Sequence, residues 1–194
     1  MTAKKILPIT RSVSVSWDQA TAFKRFTAEF GSWWPSRTHS IGGERIERIV
    51  FEERLGGRIY EEHKDGRRFQ WGTVTLWEPP GRVSFTWHPS RDPSTAQEVQ
   101  LEFHIEGRGT RLELTSTGWE RLGRRAQRAR KSYSVGWAYV VKVWAGRRTV
   151  GMVVLDTITL ALNLVMNFRG GRDRLIAQAQ GEIPQFKGLR RVEE

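Results

Sequence analysis

The sequence predicts an α+β domain in which an antiparallel meander of about six to seven strands is followed by one long helix. Three observations carry that reading. Between Phe69 and Pro89 two apolar runs face each other across Pro79-Pro80-Gly81, a step that turns the chain back because proline cannot donate to a ladder and fixes its own φ. Further alternating runs flank this hairpin, separated by Gly-Gly, Asp-Gly and Gly-Arg-Gly turns. At Trp119 the apolar period changes from two to between three and four, the mark of a helix.

Residues 6 to 17 end in a strict alternation of Val and Ser and read as a first strand, with Pro8 ahead of its paired part. Asp18 can cap a helix whose apolar positions are Ala22, Phe23, Phe26 and Phe30, and Gly31 is expected to stop it. Trp33-Trp34-Pro35 and a polar loop, SRTHSIGG, follow as a candidate pocket rim. The next strands are expected at Arg45 to Arg54 and Arg58 to Lys64. In the central hairpin Phe69, Trp71 and Trp77 share one parity with Thr73 and Thr75, while Val74 and Leu76 hold the other, so both faces should be partly covered. In its return strand Val83, Phe85 and Trp87 alternate with Arg82, Ser84 and Thr86. Val99, Leu101, Phe103 and Ile105 then alternate with Gln100, Glu102, His104 and Glu106, giving one apolar and one wet face. Thr110 to Thr117 closes the meander.

From Leu122 through Ala126, Ala129, Tyr133, Trp137 and Val140 to Trp144 one apolar stripe runs along a helix of about seven turns that should lie on the sheet. Arg121, Arg124, Arg125 and Arg128 fall on another side, where their repulsion is tolerable only beside solvent or an anion. Residues 150 to 168 are long and apolar enough to suggest a membrane span, but Asp156, Thr159, Asn163 and Asn167 lay a polar stripe along them. A buried helix of a homodimer is therefore expected instead of a span. Gly170-Gly171 should end it, with a short basic helix to about Gln180 and a less ordered tail from Gly181.

At 194 residues the chain suits one domain, here bounded at 1–148, with a C-terminal helical extension at 149–194. The absence of cysteine excludes a disulfide framework and thiolate chemistry, and the N-terminus lacks the apolar core of a secretory signal, so a cytoplasmic location is expected. The net charge of +11 is unevenly placed: residues 1 to 118 carry 17 Lys and Arg against 15 acids, residues 119 to 194 carry 15 against 6. A basic C-terminal face could meet nucleic acid, an anionic membrane surface or an acidic protein. A solvated arginine-rich surface is the plainer reading, and nucleic acid is not the expected partner.

No catalytic constellation stands out. His39, His63, His88 and His104 are scattered without a metal-binding helical pair and read as surface residues; no metal or cofactor is expected. Glu61 and Glu62 have opposite parity, so at most one points inward. The aromatic excess without a catalytic set points to an internal ligand cavity, with Trp33, Trp34, Trp71, Phe85, Trp87, Phe103, Tyr133 and Trp137 as candidate lining and ordinary core packing as the plainer alternative. The ligand would be small and largely hydrophobic. A cyclase- or hydrolase-type enzyme in the same cavity would have to draw on Glu62, His88 and His104, and a basic adaptor or chaperone-associated protein is the third class.

The segments LGGRIYE, DGRRFQWGTVTLWEPPGRVSFTW and GRGTRLELTSTGWE, with Tyr133 and Gly136-Trp137, resemble the activator of heat-shock-protein-90 ATPase homologue-like family, within the START-like or SRPBCC superfamily. The resemblance covers about residues 8 to 145. It implies a helix-grip fold: a strongly curved antiparallel sheet wrapped round the long helix, with a deep apolar cavity between them. Co-chaperone activity belongs to eukaryotic members with an additional domain that nothing here matches; relatives elsewhere bind lipids, hormones or polyketides or act on them, so fold alone does not select a function.

Overall fold

A computed structural model describes residues 6–89, 91–147, 149, 151–154, 156 and 157. Seven antiparallel strands form one curled sheet in the order β1-β7-β6-β5-β4-β3-β2. They are β1 (Ile9–Val15), β2 (Ile46–Phe51), β3 (Arg58–His63), β4 (Arg68–Glu78), β5 (Arg82–Trp87), β6 (Gln97–Glu106) and β7 (Gly109–Thr117). Helices α1 (Gln19–Thr27) and α2 (Phe30–Trp33) separate β1 from β2, and α3 (Ala126–Trp144) closes the concave face. This is the helix-grip fold.

Asp18 caps α1 as its position predicts, accepting from Thr21 N–H at 2.8 Å. The helix does not run on to Gly31, however. It ends at Thr27 and a separate turn, α2, carries Gly31 inside it. A Cβ on Gly31 would lie 2.5 Å from the Ile49 carbonyl oxygen, so only glycine lets α2 lie this close against β2, the outermost strand. At the opposite edge, arginines cover the β1 side: Arg147 donates to Ser14 O at 2.6 Å, and Arg130 to Leu7 O at 2.6 Å and Pro8 O at 2.9 Å.

The simple parity expected for β4 fails because the strand carries two register shifts, one against β3 between Ile59 and Tyr60 and one against β5 between Val74 and Leu76. Each bulge inserts an odd residue and flips the alternation, so Trp71 and then Val74 are both buried on a strand where they differ in parity. The bulges also sharpen the local twist that curls the sheet.

The helical stripe of the sequence is present: Trp137, Val140 and Trp144 are buried, with Leu122, Ala129 and Tyr133 partly buried against the core. The long helix is shorter than expected. Trp119–Arg125 is a 3-10 segment broken at Gly123, whose φ of 54° is a left-handed conformation that glycine tolerates. Residues 151–154, 156 and 157 are helical, but Thr159, Asn163, Asn167, Gly170 and the rest of the extension lie outside the described residues. Among the described residues no helix is long and apolar enough to cross a membrane.

Gly72 is the position where the curl is least negotiable, since a Cβ there would stand 1.8 Å from the Thr86 backbone oxygen. Gly72→Ala is expected to destabilise the fold by about 3 kcal/mol, the upper range for overpacking. Urea denaturation reads this as a lower midpoint at unchanged slope; an unchanged midpoint would contradict the constraint.

Candidate functional site

The candidate site is the interior between the sheet and α3, and its centre is four tryptophans. Trp34 follows α2, Trp71 lies on β4, Trp87 ends β5 and Trp137 sits midway along α3. The Trp34 ring centroid lies 5.4 Å from Trp71, 5.5 Å from Trp87 and 6.4 Å from Trp137, and Trp87 lies 5.5 Å from Trp71 and 5.4 Å from Trp137. Each buried indole removes about 200 Å² from water, worth on the order of 5 kcal/mol. An unpaired buried N–H costs about 1–3 kcal/mol. Burial therefore wins, and the cluster tolerates unpaired donors. It contains two: the Nε1–H groups of Trp71 and Trp137 are buried without an acceptor among the described residues, whereas Trp34 Nε1–H reaches the His39 carbonyl at 2.8 Å.

Of the other four residues read as lining, Phe85 joins this centre through Trp87 at 5.9 Å. Phe103 lies toward α1, against Phe23 at 5.2 Å and Trp144 at 6.2 Å. Trp33 is only partly buried, packs on Phe26 and Phe30, and donates to Arg25 O at 2.8 Å. Tyr133 stands at another end, against Trp119 at 5.2 Å with the Arg91 guanidinium 5.5 Å from its ring. Burial pushes the Tyr133 hydroxyl above its ordinary pKa, against the pull of Arg91. A groove of about 350 Å³ does open on the protein, but elsewhere, between the residues after α2 and strand β2, where Arg37, Glu44, Ile46 and Arg48 line it.

The carboxylate that turns inward is Glu61, not Glu62. Glu61 is fully buried and accepts from Ile41 N–H at 3.0 Å, Gly42 N–H at 2.7 Å and His63 Nε2 at 2.5 Å. It pins the end of the SRTHSIGG loop, the candidate pocket rim, through Ile41 and Gly42. A Cβ on Gly42 would lie 2.3 Å from His63 Nε2, so the absent side chain makes room for the imidazole. The signal was legible: Glu61 and His63 share the parity of Ile59, which is fully buried. Glu62 faces outward. Its partial burial raises its pKa, but hydrogen bonds from Arg48 at 3.1 Å and Arg68 at 2.8 Å outweigh that and hold it below the ordinary value.

Three histidines expected on the surface are not there. His63 and His88 are buried, and His39 is partly buried and stacks on Tyr139 with ring centroids 4.7 Å apart and planes 6° from parallel. Tyr139 in turn donates to Asp156 at 2.5 Å, so the first turns of the C-terminal extension are tied to α3 beside the pinned loop. Nothing in the spacing of His39, Tyr139 and Asp156 announces this. His104 stands on the outer face as the alternation requires, with Glu102 and Glu113, where one ligand-type atom from each lies within 4.8 Å of the others. That group is partly exposed, and Arg111 already pairs with Glu113. Glu62, His88 and His104, the three groups an enzyme reading would need together, are thus on different parts of the molecule.

Comparison with known proteins decides the family. Residues 19–142 match the family described as Activator of Hsp90 ATPase homolog 1-like protein. The chain belongs to that family. Solved structures of the same fold include an anthrahydroquino-γ-pyrone synthase, Txn09, complexed with a ligand, 28% identical with a TM-score of 0.53, covering 74% of this chain and 98% of the synthase. A self-sacrificing resistance protein, CalC from Micromonospora echinospora, is 25% identical with a TM-score of 0.53, covering 72% of this chain and 92% of its own. The Aha1 dimer from Colwellia psychrerythraea is 13% identical with a TM-score of 0.50, covering 74% and 100%, and speaks to fold alone. No curated protein matches the chain. In this family member the matched region ends within α3, before the extension that carries Asp156.

Burial holds both His39 and His88 below the ordinary imidazole value of 6.5, His39 against the pull of Asp156. The unfolded chain then binds more protons than the folded one as pH falls through 6.5, so the stability these groups contribute is full above that value and lost as pH descends toward their folded pKa values. The melting temperature is expected to fall between about pH 7.5 and 5.5, above the range where carboxylates titrate, and His88→Gln should flatten the slope. A pH-independent melting temperature across that window would contradict it.

Proposed function

We propose that the protein binds a small, largely apolar, aromatic molecule against the tryptophan cluster between the sheet and α3. The observation that carries this reading is the pair of buried indole N–H groups, Trp71 and Trp137, that meet no acceptor among the described residues. A planar ligand bearing a carbonyl would stack on indole faces and supply the missing acceptor, recovering the hydrogen-bond energy that the apolar interior otherwise forfeits. The likeness to an anthrahydroquino-γ-pyrone synthase supports a role with aromatic small molecules. In the Glu61–His63 pair two backbone N–H groups and the imidazole engage the carboxylate, leaving His63 Nδ1 without a hydrogen-bond partner among the described residues. An enzyme would need that atom to reach the substrate.

The test uses a hydroxyanthraquinone as probe. Saturable quenching of tryptophan fluorescence is expected, and Trp71→Phe, which keeps a ring but removes the donor, should weaken binding about tenfold, equivalent to about 1.4 kcal/mol. Absence of quenching, together with a native mass spectrum free of any co-purified small molecule, would remove this reading.

We also infer a homodimer built on residues 150–168. Its support within the described residues is that Val153 and Val154 are each about half exposed, at 50% and 51%, while Asp156 is turned inward to Tyr139. Light scattering should give a dimeric mass for the full chain and a monomeric one for Val154→Glu; a monomeric parent chain refutes the inference.

A further inference from the structure

From residue 121 to residue 155 the sequence contains no acidic residue and nine lysines and arginines. The described structure divides them by use. Arg121, Arg130 and Arg147 donate to backbone carbonyls of Ala96, of Leu7 and Pro8, and of Ser14 respectively, so they hold the fold together. Arg124, Arg125, Arg128, Lys131 and Lys142 are exposed, and none of their side chains makes a hydrogen bond or ion pair with any described residue. Their arrangement is costly. The first turn of α3 has no acid, so Arg124, Arg125 and Arg128 crowd the positive end of the helix, and Arg124 and Arg128 repel each other at a spacing of four.

These charges are not scattered round the helix. At 100° per residue Arg128, Lys131, Val135 and Lys142 fall within about 60° of one another, a single outward stripe about 21 Å long, opposite the buried Trp137, Val140 and Trp144. At the middle of the stripe stands Val135, 65% exposed. A valine there offers nothing to phosphates, and the stripe carries no aromatic ring to stack a base and no Asn or Gln to read one. A bilayer with anionic headgroups matches both features: the basic ends meet headgroups and the apolar centre enters the interface.

We propose that the outer face of α3 docks the protein on an anionic lipid bilayer. The docking is peripheral and electrostatic, and it places the helix that covers the aromatic interior next to the phase in which apolar molecules dissolve. It is independent of whether the interior is occupied, because every residue it uses is on the outside.

The experiment is co-sedimentation of the full chain with vesicles of phosphatidylcholine alone and of phosphatidylcholine with about a third phosphatidylglycerol. Binding to the anionic vesicles only is expected. It should be lost when salt is raised from about 0.1 M to about 1 M, which shortens the screening length from about 10 to 3 Å. Arg128→Glu with Lys131→Glu should weaken it at least tenfold at unchanged melting temperature, since both side chains are exposed, and Val135→Asp should weaken it severalfold. No binding to anionic vesicles at low salt, or equal binding by the charge-reversed chain, overturns the proposal. So does tighter binding to a duplex oligonucleotide that Val135→Asp leaves unchanged, which would assign the stripe to nucleic acid.

Discussion

The concave face of the sheet presents more aromatic surface than strands can cover by themselves, and the rest of the structure depends on α3 lying across it. Trp71, Phe85, Trp87, Phe103 and Val99 are each at most 4% exposed, and α3 contributes to that cover through Trp137 packed on Trp87 and Trp144 packed on Phe103. A flat sheet could not meet one helix along its whole width. The two bulges of β4 supply the curl, and Gly72 supplies the close approach of β4 to β5 that the curl requires.

That dependence explains where the polar groups went. Once the interior is apolar and closed, any charged side chain inside it must bring its partners along. Glu61 does so with two backbone donors and His63, and the arrangement fixes the loop between α2 and β2 against the sheet. Tyr139 and Asp156 make a comparable link between α3 and the start of the extension. The indole N–H groups of Trp71, Trp137 and Trp144 are among the exceptions, and an interior that is stable with three unpaired indole donors is one in which a ligand acceptor has something to gain.

The outside follows a different logic. The sheet does not close, so both of its edges need cover: α2 presses Gly31 against β2, and arginines of and after α3 cap carbonyls on the β1 side. This spends two arginines, Arg130 and Arg147, on structure. It leaves the exposed stripe of α3 with charge that no described residue balances, which is why the basic excess of the C-terminal part reads as a surface and not as a fold element.

The sequence by itself determined the seven strands, the order of turns between them and the buried stripe of α3, because periodicity is a local property that burial on one face imposes directly on neighbouring residues. It also held the parity that places Glu61 and His63 beside Ile59. What only the tertiary structure decided is which groups meet. Each bulge adds one residue and flips the alternation on β4 until the next, a change invisible to alternation counted along the chain. His39, Tyr139 and Asp156 are brought together by a loop, a helix and an extension whose packing no spacing encodes. Gly31 reads in sequence as a helix stop and Gly123 as one more position of a continuous helix, yet Gly31 lies within a helical turn against a neighbouring carbonyl and Gly123 breaks a helix through its own φ. The difference lies in what stands beside each glycine in space.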